Sequence, residues 1–254
     1  IPCYNSHKFL PRALDSISKQ TLPFSEVIII NDGSTNVETL KYLDKIKKDF
    51  FIFNQKNKGL ASARNKGAQL STSNWITFLD CDDWLENSAN QLFSEVNHSN
   101  NYDKSIFYYS DLLLSGEKSG LKSSTFNKFE QHLMNGIPYS IYINRKIFLN
   151  CGGYDESFTK GYEDWEFNLR LIFKKINGQK ISQPVFNYYI SSSGMLKKDS
   201  NKNHNIIFNK IINKHSKHYS LKNLFILFIC NFYKKSQKNS IILFVFFIIT
   251  FLFK

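Results

Sequence analysis

The first 110 residues alternate between the apolar spacing of helices and that of strands. Glu26–Asn31 is a continuous run dominated by β-branched residues, which is typical of a parallel strand covered on both faces. Before this run, apolar residues recur every three or four positions from Phe9 to Ile17. The pattern therefore predicts a helix followed by a buried strand.

The same alternation continues after the first strand. Ile52–Asn54 and Trp75–Leu79 are short apolar runs that predict strands, and Leu60–Gln69 between them predicts a helix. Strands alternating with helices indicate an α/β domain with a mostly parallel sheet. Such sheets bind ligands beyond the carboxyl ends of their strands, which points to the polar residues at 31–34 and 80–83.

The middle of the chain has a less regular pattern. Strands are predicted at Ser105–Ser110 and Ser140–Asn144, separated by a polar stretch at Ser115–Lys128. A helix is predicted at Glu163–Lys174 and a last strand at Pro184–Ile190. The aromatic residues 107–109 are interpreted as part of a buried strand rather than as a platform for a sugar.

The C-terminal tail has two nearly uniform apolar segments, Leu224–Tyr233 and Ile241–Phe253, separated by a lysine-rich stretch. At ~1.5 Å per residue each helix would cover roughly 15–20 Å, which is less than a ~30 Å hydrocarbon core. A pair of interfacial helices with lysines at anionic headgroups fits this pattern. The alternative is a soluble helical cap or a dimer face.

The distribution of charge argues against a nucleic-acid partner. The formal net charge is +12, but residues 197–254 contribute 11 Lys and one Asp. The rest of the chain is nearly neutral, whereas a nucleic-acid groove needs basic residues spread along one face. His215 and His218 are interpreted as part of a solvated helix face.

The cysteines and the first residue add two expectations. The four cysteines contain no C-x-x-C pair, so neither a zinc site nor a disulfide framework is expected, and a reducing compartment is favoured. The chain begins with Ile1 and not with Met, which leads us to expect an incomplete N-terminus that cuts through the first strand.

Three acids follow the predicted strand Trp75–Leu79. Asp80, Asp82 and Asp83 would lie together at the edge of the sheet, where carboxylates can share a divalent cation that neutralises a diphosphate. The alternative is a solvated acidic turn in which an Asp caps a helix.

A second motif, Asn31-Asp32-Gly33-Ser34, follows the buried strand. An acid at this place can face the N–H group of a base while the backbone turns sharply at the glycine. The alternative is an ordinary strand-to-turn transition.

Two further segments carry candidate ligand-binding groups. Arg64 and Asn65 lie on a helix opened by Gly59, and the alternative for Arg64 is a solvated helical charge. Glu163 and Asp164 begin a helix, where a carboxylate can act as a general base. The alternative is that these two acids only complement the helix dipole.

Together, these motifs resemble those of the family 2 glycosyltransferases, in the order found in that family. The resemblance covers roughly residues 1–195. The matching elements are Pro2-x-Tyr4-Asn5, Asn31-Asp32-Gly33-Ser34, Asn57-x-Gly59, Ala63-Arg64-Asn65, Asp80-x-Asp82-Asp83 and Glu163-Asp164-Trp165. The resemblance implies the GT-A fold, a Rossmann-type α/β domain with a mixed, mostly parallel sheet flanked by helices. Residues 196–254 would form the helical apolar and basic tail, associated with a membrane.

The resemblance also implies a donor site. Pro2 and Tyr4 would line the nucleoside pocket, Asp32 would recognise the base, and Arg64 would support it. Asp80 would bind the ribose and the diphosphate.

Metal and acceptor sites are implied in the same way. Asp80 and Asp82 would hold Mn²⁺ or Mg²⁺. Asp164 would deprotonate the acceptor hydroxyl, and Glu163 and Trp165 would shape the acceptor site.

One element of the family pattern is missing. Many relatives carry a histidine shortly after the last strand, whereas Tyr188–Met195 contains none. This difference and the expected N-terminal truncation keep open the alternative of a non-catalytic nucleotide-sugar-binding or membrane scaffold relative.

The resemblance thus implies an inverting, metal-dependent glycosyltransferase of the hexosyltransferase type. It would use a nucleotide-diphosphate sugar, with UDP favoured, and a glycan or lipid-linked acceptor in surface polysaccharide biosynthesis. The basic and apolar tail favours peripheral or monotopic attachment of the protein to the cytoplasmic face of an anionic membrane.

Overall fold

The computed structural model describes residues 1–191, 203–220, 222, 223 and 225. Its helices are α1 (Leu10–Ser18), α2 (Val37–Ile46), α3 (Leu60–Leu70), α4 (Ala89–Ser99), α5 (Arg145–Asn150), α6 (Glu163–Phe173) and α7 (His204–Lys214). Its strands are β1 (Pro2–Cys3), β2 (Ile28–Asp32), β3 (Phe51–Gln55), β4 (Trp75–Ile76), β5 (Trp84–Leu85), β6 (Ile106–Tyr109), β7 (Leu112–Gly116), β8 (Gly120–Lys122), β9 (Ile143–Asn144), β10 (Asn177–Lys180) and β11 (Phe186–Ile190).

The N-terminal part forms a parallel sheet in the order β1-β2-β3. Ile29 and Ile30 of β2 are fully buried, as expected of a parallel strand covered on both faces. Helix α1 has a proline in its first turn. The N–H groups there have no partner within the helix, so the missing N–H of proline costs no hydrogen bond. Helix α2 is capped by Asn36, whose side chain accepts from the Thr39 N–H.

The rest of the sheet structure is mixed. Strand β11 pairs in parallel with β7 and antiparallel with β5, and β8 continues this sheet antiparallel to β7. Strands β10 and β6 pair in parallel, whereas β4 and β9 pair antiparallel. The predicted mixed, mostly parallel α/β fold is therefore confirmed.

Several boundaries differ from the sequence prediction. The predicted strand Trp75–Leu79 is paired only at Trp75 and Ile76, and its partner β9 is antiparallel. Within Ser115–Lys128, which was expected to be a polar connection, β8 forms a hairpin with β7. This pairing depends on backbone hydrogen bonds, so a stretch without apolar alternation does not reveal it.

Helix α7 packs on α6 through an apolar cluster. Trp165 and Leu169 of α6 contact Ile207 and Ile211 of α7, and all four side chains are buried. Residues assigned by the sequence to the tail therefore lie against the helix that carries the predicted base. The 195/196 boundary and both apolar tail segments, apart from Phe225, lie outside the described residues. Within the described part of the chain, no helix is both long and apolar enough to cross a membrane.

The prediction of a solvated histidine face is wrong for His215, whose side chain is 11% exposed, and His218 is only partly exposed. His215 Nε2 lies 2.8 Å from Glu166 Oε1, and the His218 ring stacks on Phe173 with a centroid distance of 3.7 Å. His132 is 2% exposed, and burial lowers its pKa to about 4. The lysine-rich sequence did not reveal these contacts because their partners lie on α6, far away along the chain.

Candidate active site

The three acids after β4 meet in one tight turn. Asp80, Asp82 and Asp83 each contribute a carboxylate oxygen, and these oxygens all lie within 4.8 Å of one another. The Asp83 N–H donates to the Asp80 carbonyl at 3.2 Å, which closes the turn. The predicted juxtaposition of the three carboxylates is therefore present.

Asp83 is the buried member of this group. Its Oδ2 accepts from the Tyr139 hydroxyl at 2.6 Å, and its Oδ1 accepts from the Tyr189 N–H at 2.7 Å. Burial, together with the neighbouring Asp82, raises the pKa of Asp83 well above its ordinary value. The Tyr139 hydroxyl also accepts from the Asp80 N–H at 2.8 Å, so it joins both ends of the turn. Asp83 and Tyr139 therefore shape the turn from inside.

Asp82 differs from the other two acids: no other described residue donates a hydrogen bond to its carboxylate. Burial and the charge of Asp80 raise its pKa to about 6. The Arg12 guanidinium donates to the Asp82 carbonyl at 2.6 Å and lies 3.9 Å from the Trp84 ring centroid. The backbone of Asp82 is thus fixed from α1 while its carboxylate remains available.

This donor set fits Mn²⁺ or Mg²⁺. Both are hard cations that bind oxygen ligands, and Mg²⁺ commonly takes one or two carboxylates together with substrate phosphates. Asp82 would hold the cation with an oxygen of Asp80, as the sequence predicts. Asp83 is 1% exposed and both of its oxygens accept hydrogen bonds inside the protein, so it supports the site from behind. Asp80 and Asp82 are partly exposed, although both Asp80 oxygens also accept from Arg64.

Arg64 connects the acid turn to helix α6. Its Nη2 donates to Asp80 Oδ2 at 2.7 Å and its Nη1 to Glu163 Oε1 at 2.7 Å. Its guanidinium also lies over the Tyr139 ring, 4.2 Å from the centroid. Burial alone would lower the pKa of Arg64, but Asp80 and Glu163 raise it well above its ordinary value. Arg64 is 2% exposed, so the alternative of a solvated helical charge is wrong.

Helix α6 presents its first two acids in different ways. Glu163 is 5% exposed and paired with Arg64, whereas Asp164 is half-buried. Asp164 Oδ1 accepts from the Trp165 N–H at 2.7 Å, and its Oδ2 accepts from Asn135 Nδ2 at 2.9 Å. Burial raises the pKa of both carboxyls above their ordinary values. Asp164 thus combines partial exposure with a raised pKa, which a general base needs.

Trp165 is packed inside the protein. It is 1% exposed, and its indole N–H donates to the Gln131 carbonyl at 2.7 Å. Its ring stacks on Phe208 of α7, with a centroid distance of 5.2 Å. Its predicted influence on the acceptor site would therefore be exerted through the packing of α6.

The predicted nucleoside residues lie on two neighbouring strands: Pro2 begins β1, Tyr4 follows it, and Asp32 ends β2. Pro2 is buried, and Tyr4 is 49% exposed. Asp32 accepts from the Lys58 N–H at 2.9 Å, the Gly59 N–H at 2.8 Å and Gln55 Nε2 at 2.8 Å. Asp32 thus fixes the turn that leads into α3, and its role towards a base stays a prediction.

Gly33 shows why this turn needs a glycine. Its φ is +71°, and an added Cβ would lie 2.5 Å from the Asn57 backbone nitrogen. A side chain would therefore clash with the backbone of the neighbouring turn as well as strain its own.

Sequence reasoning missed three residues that shape the site: Arg12, Asn135 and Tyr139. Arg12 looks like any polar position of α1, and Tyr139 lies in a stretch without a motif. Asn135 precedes Gly136 and carries a turn signal, but nothing in the sequence directs it towards Asp164.

Comparison with known proteins agrees with this architecture. The family model "Glycosyl transferase family 2" matches residues 1–204. Glycosyltransferase GlyA of Streptococcus pneumoniae is 31% identical over 153 residues, which cover 59% of this chain and 20% of GlyA. The putative glycosyltransferase EpsH of Bacillus subtilis is 34% identical over 88 residues, which cover 34% of this chain and 26% of EpsH. These two matches thus span about a fifth to a quarter of each relative.

A relative of similar length is also found. A PGL/p-HBAD biosynthesis glycosyltransferase of Mycobacterium bovis is 27% identical over 179 residues, which cover 68% of each chain. Among solved structures, S. aureus TarS 1-349 in complex with UDP-GlcNAc superposes with a TM-score of 0.61 at 15% identity. That superposition covers 97% of this chain and 78% of TarS 1-349, and it shows that the two share a fold.

Proposed function

The chain belongs to the family 2 glycosyltransferases, and we propose that it transfers a sugar from a nucleotide-diphosphate donor to a hydroxyl acceptor. The observation that carries this proposal is the ionic chain Asp80–Arg64–Glu163. It links the turn of Asp80, Asp82 and Asp83, which would face the diphosphate, to the helix that presents Asp164. The proposed donor site and the proposed base would thereby be held on one framework.

The donor side is proposed to bind a UDP-sugar. Pro2, Tyr4 and Asp32 would form the nucleoside side, and Asp80 and Asp82 would hold a divalent cation. When bound, the cation would stabilise the negative charge that develops on the departing diphosphate. Solved structures of TarS with this fold contain UDP or UDP-GlcNAc, which motivates the choice of UDP.

The acceptor side is proposed to use Asp164 as the general base. Its carboxylate takes the proton of the acceptor hydroxyl while the acceptor oxygen bonds to the anomeric carbon. The bond between that carbon and the diphosphate oxygen breaks in the same step, so the configuration inverts. The two hydrogen bonds to Asp164 hold it in place, and each of its oxygens keeps a lone pair for the incoming proton.

The acceptor is proposed to be a glycan or lipid-linked saccharide of a surface polysaccharide, at the cytoplasmic face of an anionic membrane. The alternating apolar and lysine-rich tail supports this proposal, as does the biosynthetic role in the name of the mycobacterial relative. Flotation with anionic and with neutral vesicles tests it. Absence of binding to both kinds of vesicle would contradict the membrane part.

The test of the function is a transfer assay with a panel of UDP-sugars and glycan or lipid-linked acceptors, in Mn²⁺ or Mg²⁺. The variant Asp164→Asn should lose about 10²–10⁴-fold of the transfer rate and bind UDP as the wild type does. Asp103→Asn, the same change at an exposed turn, is the matched control. UDP binding without turnover by the wild type would favour the non-catalytic, nucleotide-sugar-binding alternative.

A further inference from the structure

Asn135 makes a side-chain hydrogen bond to the proposed base. Its Nδ2 donates to Asp164 Oδ2 at 2.9 Å, although the two residues are 29 positions apart. Its Oδ1 in turn accepts from Asn168 Nδ2 at 3.4 Å. Asn168 lies one helical turn after Asp164 and is 2% exposed. The Asn135 amide is therefore held at both ends by α6.

The turn that carries Asn135 is itself anchored to α6. Gln131 is fully buried, and its carbonyl accepts from the Trp165 indole N–H. With its amide oxygen facing the turn, Gln131 accepts from the Gly136 N–H at 2.9 Å and from the Ile137 N–H at 3.3 Å. A buried side chain thus clamps the backbone that follows Asn135, which restricts where the Asn135 side chain can point.

We propose that Asn135 is a positioning residue that fixes the Asp164 carboxylate and favours its ionised, proton-accepting form. This inference rests on the proposed function, in which Asp164 is the base. The Trp165 N–H holds one carboxylate oxygen and Asn135 holds the other, so the carboxylate plane is set from two directions. A neutral donor can do this without the lasting charge pair that a lysine or arginine would form.

Other groups near Asp164 act on its ionisation in both directions. Arg64 favours the ionised form, whereas the neighbouring Glu163 is a second acid. Tyr154, Tyr162 and Tyr188 also lie within electrostatic range of Asp164. Asn135, in contrast, donates a side-chain hydrogen bond directly to the Asp164 carboxylate.

The consequence is a specific dependence on pH. A donor to the ionised carboxylate lowers its pKa, so removing the donor raises it. The variant Asn135→Leu should therefore move the acid limb of the pH–rate profile upward by about one to two pH units. Below the new midpoint, the transfer rate should fall about tenfold for each pH unit. The affinity for UDP should stay within about twofold of the wild-type value because the side-chain hydrogen bonds of Asn135 go to Asp164 and Asn168.

The experiment compares Asn135→Leu and Asn135→Ala with Met134→Ala. Met134 is the neighbouring residue and is 46% exposed, so its truncation tests disturbance of the same turn. The Asp164 carboxyl is titrated directly in the unliganded, full-length protein by its ¹³C chemical shift, assigned with Asp164→Asn. An upward shift of the midpoint in both Asn135 variants, with none in Met134→Ala, is the expected result.

Two outcomes would overturn the inference: a midpoint in the Asn135 variants equal to that of the wild type, or an equal shift in Met134→Ala. The proposed function fails separately, if the wild type transfers no sugar although the Asp164 midpoint depends on Asn135. The direct titration needs no turnover, so the two failures are distinguishable.

Discussion

Arg64 and Glu163 are joined by a hydrogen-bonded ion pair, Nη1 to Oε1 at 2.7 Å, across 99 positions of sequence. The same guanidinium pairs with Asp80 of the acid turn. Both Arg64 and Glu163 are almost fully buried, so water does not screen their interaction. One buried side chain therefore links α6 to the acid turn.

Removing Arg64 should be strongly destabilising. Arg64→Ala leaves Glu163 buried without its partner, and breaking a buried pair in this way costs about 3–5 kcal/mol of unfolding free energy. The double variant Arg64→Ala/Glu163→Gln should be less destabilised than the sum of the two single variants. Urea unfolding of all four proteins measures this coupling.

Lys66→Ala provides the control on the same helix. Its ammonium lies 4.8 Å from the Phe53 ring centroid, an interaction worth about 0.5–1 kcal/mol at an exposed site. Additive losses in the Arg64 and Glu163 cycle would show that the ion pair contributes no coupling.

Divalent cation and UDP should bind together. Calorimetric titration should show tighter UDP binding in Mn²⁺ than in its absence, and Asp82→Ala should remove this gain because it deletes the available carboxylate. Asp44→Ala removes one acid from an exposed pair on α2 and should behave as the wild type does. Equal UDP affinity with and without Mn²⁺ in the wild type would contradict the metal site.

The Tyr139 hydroxyl should tune the metal site without touching the metal. Tyr139→Phe removes both its hydrogen bond to Asp83 and its acceptor for the Asp80 N–H. Loss of such supporting bonds commonly weakens metal binding about 10–100-fold. Mn²⁺ titration of the purified protein measures the effect.

Tyr154→Phe is the matched change for Tyr139→Phe. The Tyr154 hydroxyl makes one long bond, 3.4 Å to the Tyr139 carbonyl, and none to the acid turn. An equal loss of Mn²⁺ affinity in both variants would mean that the Tyr139 hydroxyl has no particular role.

Glu166 should contribute stability that depends on pH. Burial alone would raise its pKa, but His215, Arg170 and Lys214 lower it from 4.5 to about 2. Because the pKa of Glu166 is lower in the folded than in the unfolded protein, the stabilisation is complete above about pH 4.5. It is lost as the pH falls towards about 2. At pH 7, Glu166→Gln should lose about 3 kcal/mol of unfolding free energy.

Urea unfolding at pH 7, 4 and 3 measures the difference in unfolding free energy between Glu166→Gln and the wild type. This difference should narrow as the pH falls. Glu95→Gln, on the exposed face of α4, should change the unfolding free energy by less than about 0.5 kcal/mol at each pH. A difference for Glu166→Gln that stays constant with pH would show that the ionised carboxylate is not stabilised by its partners.

Much of the fold was open to prediction because its signals are local. The β-branched run before Asn31 predicts a buried strand, and the apolar spacing after Glu163 predicts α6; both are present. Asp80 and Asp82 are two positions apart in one tight turn, so their closeness along the chain brings their carboxylates together. Sequence periodicity and short motifs were sufficient here because the partners are neighbours along the chain.

What only the tertiary structure decided is which distant groups meet these motifs. Arg64 and Asn65 are both predicted as helical groups available to a ligand, yet Arg64 bridges two acids, whereas Asn65 binds the Tyr154 backbone. Asn135 reaches Asp164 only because a buried glutamine and the packing of α6 set its turn. Such contacts depend on how helices and strands pack around a common core, and a hydrogen bond tolerates only a few tenths of an ångström of error. Local spacing carries no information at that precision about residues tens of positions away.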